Sequence, residues 1–416
     1  MIEPPKGTDR PGPGLRTGPP GRHEHIAVLD GVRGVAILLV VAVHVGDITG
    51  VVGYEQPGWR MLNTGSIGVP FFFILSGFLL YRPFARAALD GAAFPDVGGY
   101  FRRRALRILP AYWLMLPVGF LTSESPEAGD PLIWLEFLTL THPYDPGRWW
   151  EGTSLLMVWS LSVEVCFYLL LPLLAWGMHR SCRGSARRLL AVTSVLAAAS
   201  VAWSGTLRYA ADLSITFYNE NLLPRSFVHF ALGMALAVMV ERPGPAAAWI
   251  AASPGLCWTV ALCGLVLIST PLTTPLSGPQ SPHQYLVAAL LTPLVALAAV
   301  APAALASENR FVRVLLGNRL LAGFGLISYG LFLWHMPVLM AWYQLTGRPI
   351  FLGDFWTVFA VDLLVSAVLS VLSHDLIERP FQRLGRRAGK PERASDKYRC
   401  EQIPGGEAVP DGRSAR

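Results

Sequence analysis

The sequence predicts an all-α integral membrane protein, built as a bundle of about ten transmembrane helices. The chain of 416 residues is 52% hydrophobic and only 15% charged, and its mean hydropathy is +0.43. These values are too apolar for a soluble globular protein. Ten apolar runs are also long enough, or nearly so, to cross a bilayer. We expect the spans at residues 32–52, 66–82, 105–121, 154–178, 189–204, 226–241, 248–270, 285–305, 321–343 and 355–377.

The distribution of lysine and arginine is an independent check on the number of spans. With both termini in the cytoplasm, the inner segments hold 29 of the 34 basic residues. This asymmetry follows the positive-inside rule, and it would reverse in alternate loops if one span were missing. Basic loops that face anionic lipid then explain the net charge of +6 without a nucleic acid partner. We predict a multi-pass protein of the cell membrane with both termini cytoplasmic.

Both ends of the chain have the composition of linkers. Residues 1–25 are rich in Pro, Gly and Arg, and residues 388–416 are polar with mixed charge, so we expect disordered cytoplasmic tails around a membrane domain at 26–387. The five cysteines show no CxxC spacing, so neither a disulfide framework nor a metal site is predicted. No GxxxxGK[ST] or GxGxxG phosphate loop occurs, which disfavours an ATP-driven pump. We expect no tightly bound cofactor.

Ionisable residues inside the predicted spans are the first functional signal, since each costs a few kcal/mol at mid-bilayer. His44 lies about 18 Å from the cytoplasmic side and Glu164 about 15 Å from the outer end of its span. In a hydrocarbon core of about 30 Å, the two reach nearly the same depth. His335 lies at a similar level and Asp362 nearer the outer face. Any of these can simply bond to a neighbouring helix, and for His335 and Asp362 that structural interpretation is at least as strong.

Arginines form the second signal, in the segment FRRRALRILPAYW (101–113) at the inner mouth of a span. Such a cluster is ordinarily a topology signal. Arg104 and Arg107, however, are three residues apart on one helix face and could grip a phosphate group between two guanidinium forks. Arg33 lies eleven residues before His44 and within about 20° of the same helix face. The pattern predicts a site for a phosphorylated donor on the cytoplasmic side.

Six motifs resemble, in order and spacing, those of the membrane-bound acyltransferase family 3. They are LDGVRGVAILLVVAVHV (29–45), GVPFFFILSGFLLYRPF (68–84), FRRRALRILPAYW (101–113), WSLSVEVCFYLLLP (159–172), SYGLFLWHMPV (328–338) and IERPFQRLGRR (377–387). The resemblance covers about residues 26–387. It implies a ten-helix membrane O-acyltransferase, consisting of the membrane domain alone, that uses acyl-CoA as co-substrate.

The resemblance also implies roles for individual residues. His44 is expected to be catalytic, while Arg104 and Arg107 are associated with acyl-CoA binding, together with Arg33. A histidine is well matched to removing the hydroxyl proton when an acyl group passes from a thioester to an alcohol. We therefore expect His44 to be the general base, with Glu164 orienting either His44 or the acceptor hydroxyl.

Three further residues are predicted to support the site. Asp30 matches the acidic residue of the LDGxRG opening, where a helix N-terminus and the adjacent Arg33 favour its charge. Ser162 is the serine of the SxExxFY motif, and His335 shares the depth of His44. We assign no residue to a metal.

Several alternatives stay open at the level of sequence. A covalent relay through His44 is possible, and Ser76 in LSGF is a conceivable nucleophile, although a Ser-Gly pair inside a span is more often a packing notch. A transporter or flippase for a lipid-linked glycan would also bury charges among ten helices, and a structural or sensor protein would tolerate loss of His44. The acceptor is expected to be a hydroxyl of a sugar, a glycan or a glycosylated natural product such as a macrolide, and the acyl group to be acetyl or another short chain.

Labelling of single cysteines, in a variant whose five native cysteines are serine, tests the predicted orientation. The segment 122–153 carries six acidic residues and one arginine and is expected outside, whereas 180–188 carries four arginines and is expected inside. A cysteine in 122–153 should react with an impermeant thiol reagent on intact cells. One in 180–188 should react only after the membrane is permeabilised. The reverse pattern would overturn the orientation.

Overall fold

A computed structural model of the chain describes residues 21–51, 56–123, 126–144, 153–209, 221–275 and 280–387. The described residues form helices joined by turns and contain no strand. The predicted tail at 388–416 and the first twenty residues lie outside the described residues. The first helix begins at Gly21, within the segment predicted as the other tail.

Sixteen α-helices are described in chain order. They are α1 (Gly21–Ile48), α2 (Pro57–Asn63), α3 (Gly68–Asp90), α4 (Val97–Ser123), α5 (Pro131–Leu138), α6 (Val158–Ser181), α7 (Ala186–Tyr209), α8 (Leu223–Glu241), α9 (Pro245–Ala252), α10 (Pro254–Ile268), α11 (Pro282–Leu305), α12 (Arg310–Leu316), α13 (Arg319–Leu326), α14 (Ser328–Thr346), α15 (Phe355–Ser373) and α16 (Arg379–Arg387). A π-helical turn, His374–Glu378, joins α15 to α16.

The helices confirm the predicted membrane bundle. Within the described residues, eight helical segments are long and apolar enough to cross a membrane, and two bent helix pairs raise the number to ten. Each pair occupies one span of the sequence prediction. The α9–α10 pair bends by 86° and the α13–α14 pair by 72°. The first bend falls at Ser253 and Pro254, where the proline ring keeps the preceding residue out of helical conformation.

The glycines of the LDGVRG motif let α12 and α13 approach the backbone of α1. A Cβ atom on Gly31 would lie 1.8 Å from the carbonyl oxygen of Leu316, and one on Gly34 would lie 2.2 Å from that of Leu321. From the other side, a Cβ on Gly325 would lie 1.8 Å from the carbonyl oxygen of Asp30. Only hydrogen fits at these positions. The motif therefore fixes the short helix that leads directly into α14.

Ion pairs lock α3 to α8 at one end of the bundle. Glu241, at the end of α8, accepts from Arg82 at 2.6 Å and from Arg86 at 2.8 Å. Arg242 pairs with Asp90 at 2.6 Å. These residues lie where α3 and α8 both finish. We call this the basic end of the bundle.

The close approach at Gly31 predicts a loss of stability when a methyl group is added. Gly31→Ala should lower the free energy of unfolding by on the order of 1–3 kcal/mol, because its new Cβ meets backbone rather than a movable side chain. Gly177→Ala in α6 is the matched control, since no atom lies within 4 Å of the added Cβ. It should be neutral or stabilising by up to about 1 kcal/mol. Thermal unfolding of the detergent-solubilised protein, followed by tryptophan fluorescence, measures both. Equal melting temperatures would contradict the tight packing.

Candidate active site

Two adjoining cavities follow one path inside the bundle. We call the first, of about 260 Å³, the arginine cavity after Arg33, Arg104 and Arg107 in its wall. We call the second, of about 330 Å³, the histidine cavity after His44 and His229. Along α3, residues up to Leu80 line the arginine cavity, which therefore lies nearer the basic end.

Four residues belong to the walls of both cavities and stand between them. We call them the waist: Val69, Phe73, Ser160 and Phe332. They come from three helices, α3, α6 and α14. The cavities are thus neighbours with a shared wall.

A pair of histidines lies beside the waist. Nδ1 of His44 on α1 is 3.0 Å from Nε2 of His335 on α14, and the ring centroids are 5.0 Å apart. His335 is fully buried, whereas His44 is half-buried and lines the histidine cavity. The buried ring therefore positions the accessible one.

The hydrogen bonds fix the tautomers of this pair when both rings are neutral. Nδ1 of His335 lies 2.9 Å from the carbonyl oxygen of Leu331, which can only accept. Nδ1 of His335 therefore carries the hydrogen and its Nε2 accepts from Nδ1 of His44. The lone pair of His44 is then on Nε2.

The spacing of Arg33 and His44 places one in each cavity. Eleven residues correspond to a rise of about 16 Å along α1 and return to nearly the same face. Both side chains face the path, Arg33 in the arginine cavity and His44 in the histidine cavity. One helix therefore connects the two sites.

Three arginines and one glutamate line the arginine cavity, so its wall carries more positive than negative groups. Arg33 pairs with Asp30 at 2.8 Å. Arg104 and Arg107 are half-buried in the cavity wall, and within the described part of the chain neither makes a hydrogen bond or an ion pair. Two guanidinium groups in this state are open to an anionic ligand with several oxygen acceptors.

Glu164 lies in the arginine cavity and does not contact His44. Its carboxylate accepts from the hydroxyl of Ser76 and, at 2.6 Å, from that of Tyr168. Ser76 and Tyr168 also line the arginine cavity. The next residue after Ser76, Gly77, supplies the packing notch, because a Cβ there would meet the carbonyl of Phe230. In the LSGF segment, Ser76 thus lines the arginine cavity, and Gly77 allows α3 to pack closely against α8.

The other sequence-predicted residues lie around these cavities. Ser162 is buried, donates to the carbonyl of Val158 at 3.4 Å and lines neither cavity. Asp362 is buried on α15 and accepts from Ser366 at 3.1 Å. The IERPF segment lies in the π-helical turn and α16, where His374 and Glu378 are 3.4 Å apart and buried.

Sequence reasoning missed two residues of the cavities. His229 lines the histidine cavity beside Phe73, at 6.4 Å between ring centroids. It is an ionisable residue inside a predicted span, the same signal that singled out His44. Tyr329 lines the arginine cavity and donates to the carbonyl of Ile108 at 2.8 Å. A tyrosine in an apolar run carries no comparable signal.

Fold and site together define a multi-pass membrane protein with a buried histidine pair close to an arginine-lined cavity. Residues 26–375 match the family model for the acyltransferase domain of the acyltransferase 3 family. The chain belongs to that family.

Named relatives agree with this assignment. The chain is 28% identical over 398 residues to the "Putative peptidoglycan O-acetyltransferase YrhL" of Bacillus subtilis, a match that covers 88% of this chain and 56% of the relative. It is 30% identical over 365 residues to the "Putative membrane-bound transacylase BcsY" of Komagataeibacter xylinus, covering 84% and 81%. A "Putative O-acetyltransferase" of Staphylococcus aureus is 22% identical over 394 residues, covering 88% and 58%. The chain thus spans a little over half the length of the Bacillus and Staphylococcus relatives. No solved structure matches it.

The geometry predicts strong coupling between the two histidines. His44→Ala should remove nearly all transfer, since general-base assistance is worth about 10² to 10⁴ in rate. His335→Ala should also lower kcat, yet add little in the His44→Ala background, because residues that act as a unit are non-additive. Initial rates of acyl transfer for the two single variants and the double variant measure this coupling.

Glu164→Gln, made alone and in the His44→Ala background, is the comparison for the two histidine variants. Because Glu164 bonds to Ser76 and Tyr168, its effect should persist in the His44→Ala background more than that of His335→Ala. Stronger coupling of His44 to Glu164 than to His335 would contradict the structural pairing.

Proposed function

We propose that the protein transfers an acetyl or other short acyl group from acyl-CoA, bound in the arginine cavity, to a hydroxyl group in the histidine cavity. The observation that carries the proposal is the joining of an anion cavity to a histidine cavity at one waist. The two cavities separate the charged donor from the neutral acceptor.

The donor fits the charge of the arginine cavity. The phosphates of CoA are polyanionic, and Arg33, Arg104 and Arg107 converge on the same cavity. The pantetheine arm would extend from there toward the waist and deliver the thioester to His44. We propose that the basic end faces the cytoplasm, where the positive-inside rule puts most of the basic residues and where acyl-CoA is present.

The chemistry follows from the tautomers of the histidine pair. Nε2 of His44 takes the proton from the acceptor hydroxyl as its oxygen attacks the thioester carbonyl. The protonated ring is held by its Nδ1–H bond to Nε2 of His335. When the tetrahedral intermediate collapses, the carbon–sulfur bond breaks and His44 returns the proton to the CoA thiolate. The products are the ester and free CoA, so no net proton is consumed.

Glu164 has a separate role in this proposal. Held by Ser76 and Tyr168, its carboxylate offsets part of the positive charge in the arginine cavity. It thereby lowers the electrostatic repulsion among the arginines while the donor is absent.

The acceptor is proposed to be a sugar, a glycan or a glycosylated natural product such as a macrolide. The histidine cavity lies within the size range of small-molecule sites. Its wall exposes more apolar than polar surface and carries hydrogen-bonding groups, including His229, Ser204 and Arg225. The relatives named as O-acetyltransferases, one of them for peptidoglycan, support a glycan hydroxyl.

Donors of different length test the proposal. Purified protein in nanodiscs should release free CoA from acetyl-CoA when a peptidoglycan disaccharide is added, and a transporter would not.

Arg104→Ala or Arg107→Ala should raise KM for acetyl-CoA about tenfold or more, since phosphate contacts far from the thioester supply mainly binding energy. Acetyl-pantetheine, which lacks the nucleotide, should be nearly indifferent to either change.

Arg103→Ala is the matched control, because Arg103 is exposed on the same helix and lines neither cavity. It should leave KM for both donors unchanged. If the two donors lost activity equally in Arg104→Ala and Arg107→Ala, the arginines would be structural and the donor site misplaced.

A further inference from the structure

The waist has one rigid side. The ring of Phe73 is almost fully buried and stacks on Phe230 at 4.6 Å between centroids, and Phe230 stacks on Phe167 at 4.1 Å. A chain of stacked rings with native packing around it resists movement. Phe73 is therefore a fixed wall.

The opposite side of the waist is next to the histidine pair. Phe332 precedes His335 by less than one turn of α14, and their ring centroids are 6.2 Å apart. Phe332 is half-buried and lines both cavities. Because His44 and Phe332 line the same histidine cavity, a carbonyl group placed at His44 enters a space that Phe332 bounds.

This position constrains the acyl chain. With CoA on the arginines and the reacting carbonyl at His44, the thioester bridges the waist and its sulfur lies on the arginine side. The acyl tail must then lie between Phe73 and Phe332, or in the histidine cavity that the acceptor occupies. An acetyl group adds a single methyl there, whereas each further methylene competes with a phenyl ring or with the acceptor.

We propose that Phe73 and Phe332 set the acyl-chain length of the donor and restrict it to short chains. The proposal rests on the proposed function and adds a specificity determinant to it. Exclusion of a methylene from a filled pocket is worth about 10-fold or more in rate. The wild-type protein should therefore use hexanoyl-CoA at least about 100-fold less well than acetyl-CoA.

Replacement of Phe332 tests this inference. The readout is the ratio of kcat/KM for hexanoyl-CoA to that for acetyl-CoA, measured by release of free CoA with the peptidoglycan disaccharide as acceptor. Phe332→Ala should raise this ratio about tenfold or more, and Phe332→Leu should raise it less. The leucine variant keeps most of the side-chain volume, so it preserves the test if the alanine variant does not fold.

Phe359→Ala is the control, because Phe359 is half-buried on α15, stacks on Phe355 at 5.6 Å and lines neither cavity. Its ratio should equal that of the wild type. A ratio that is unchanged in both Phe332 variants, or a wild-type protein that uses both donors equally, would overturn the role of the waist in chain-length selection. The proposed function would still stand. A wild-type protein that releases no CoA from any acyl-CoA would overturn the proposed function and this inference with it.

Discussion

A hydrogen bond between two imidazole rings joins α1 to α14, and much of the described fold serves to make it possible. His44 and His335 are nearly three hundred residues apart in the chain, yet their nitrogens lie 3.0 Å apart. The approach depends on α12, which packs against Gly31, and on α13, which packs against Gly34 and bends by 72° into α14. The glycines of the LDGVRG motif and the bend between α13 and α14 thus act together to set the position of α14 relative to α1. Loss of either would separate the rings before it altered any contact with a ligand.

Buried polar residues of the bundle form hydrogen bonds with one another along a few lines. On α15, Asp362 bonds to Ser366, and Ser370 donates to the backbone carbonyl of Ser366 at 2.5 Å, all three being buried. Large apolar side chains such as Leu169, Leu173 and Leu364 are exposed on the outside, where lipid replaces water as the solvent. In such a medium an unpaired polar group costs several kcal/mol, so pairing inside the bundle is strongly favoured. Within the described residues Arg104 and Arg107 have no hydrogen-bond partner, and neither have a few buried groups such as the indole N–H of Trp334.

Hydropathy predicted the spans, and helical periodicity predicted the shared face of Arg33 and His44, because both depend on a single helix. It could not predict which helices are neighbours. Matched depth suggested Glu164 as the partner of His44, but depth leaves the direction around the bundle undetermined, and Glu164 faces Ser76 and Tyr168 instead. His335 had the same depth and weaker motif support, yet it supplies the contact. The sequence also could not predict the bends between α9 and α10 and between α13 and α14. Hydropathy reports the length and composition of an apolar run but not the direction of the helix axis.

The waist has a consequence for the membrane itself. Under the proposed function, CoA stays on one side of the two phenyl rings and the acceptor on the other, and only the acyl carbons pass between them. Group transfer and transmembrane movement then become a single event, with no carrier cycle and no open channel. A cell could in this way modify molecules on its outer surface with an activated donor that never leaves the cytoplasm.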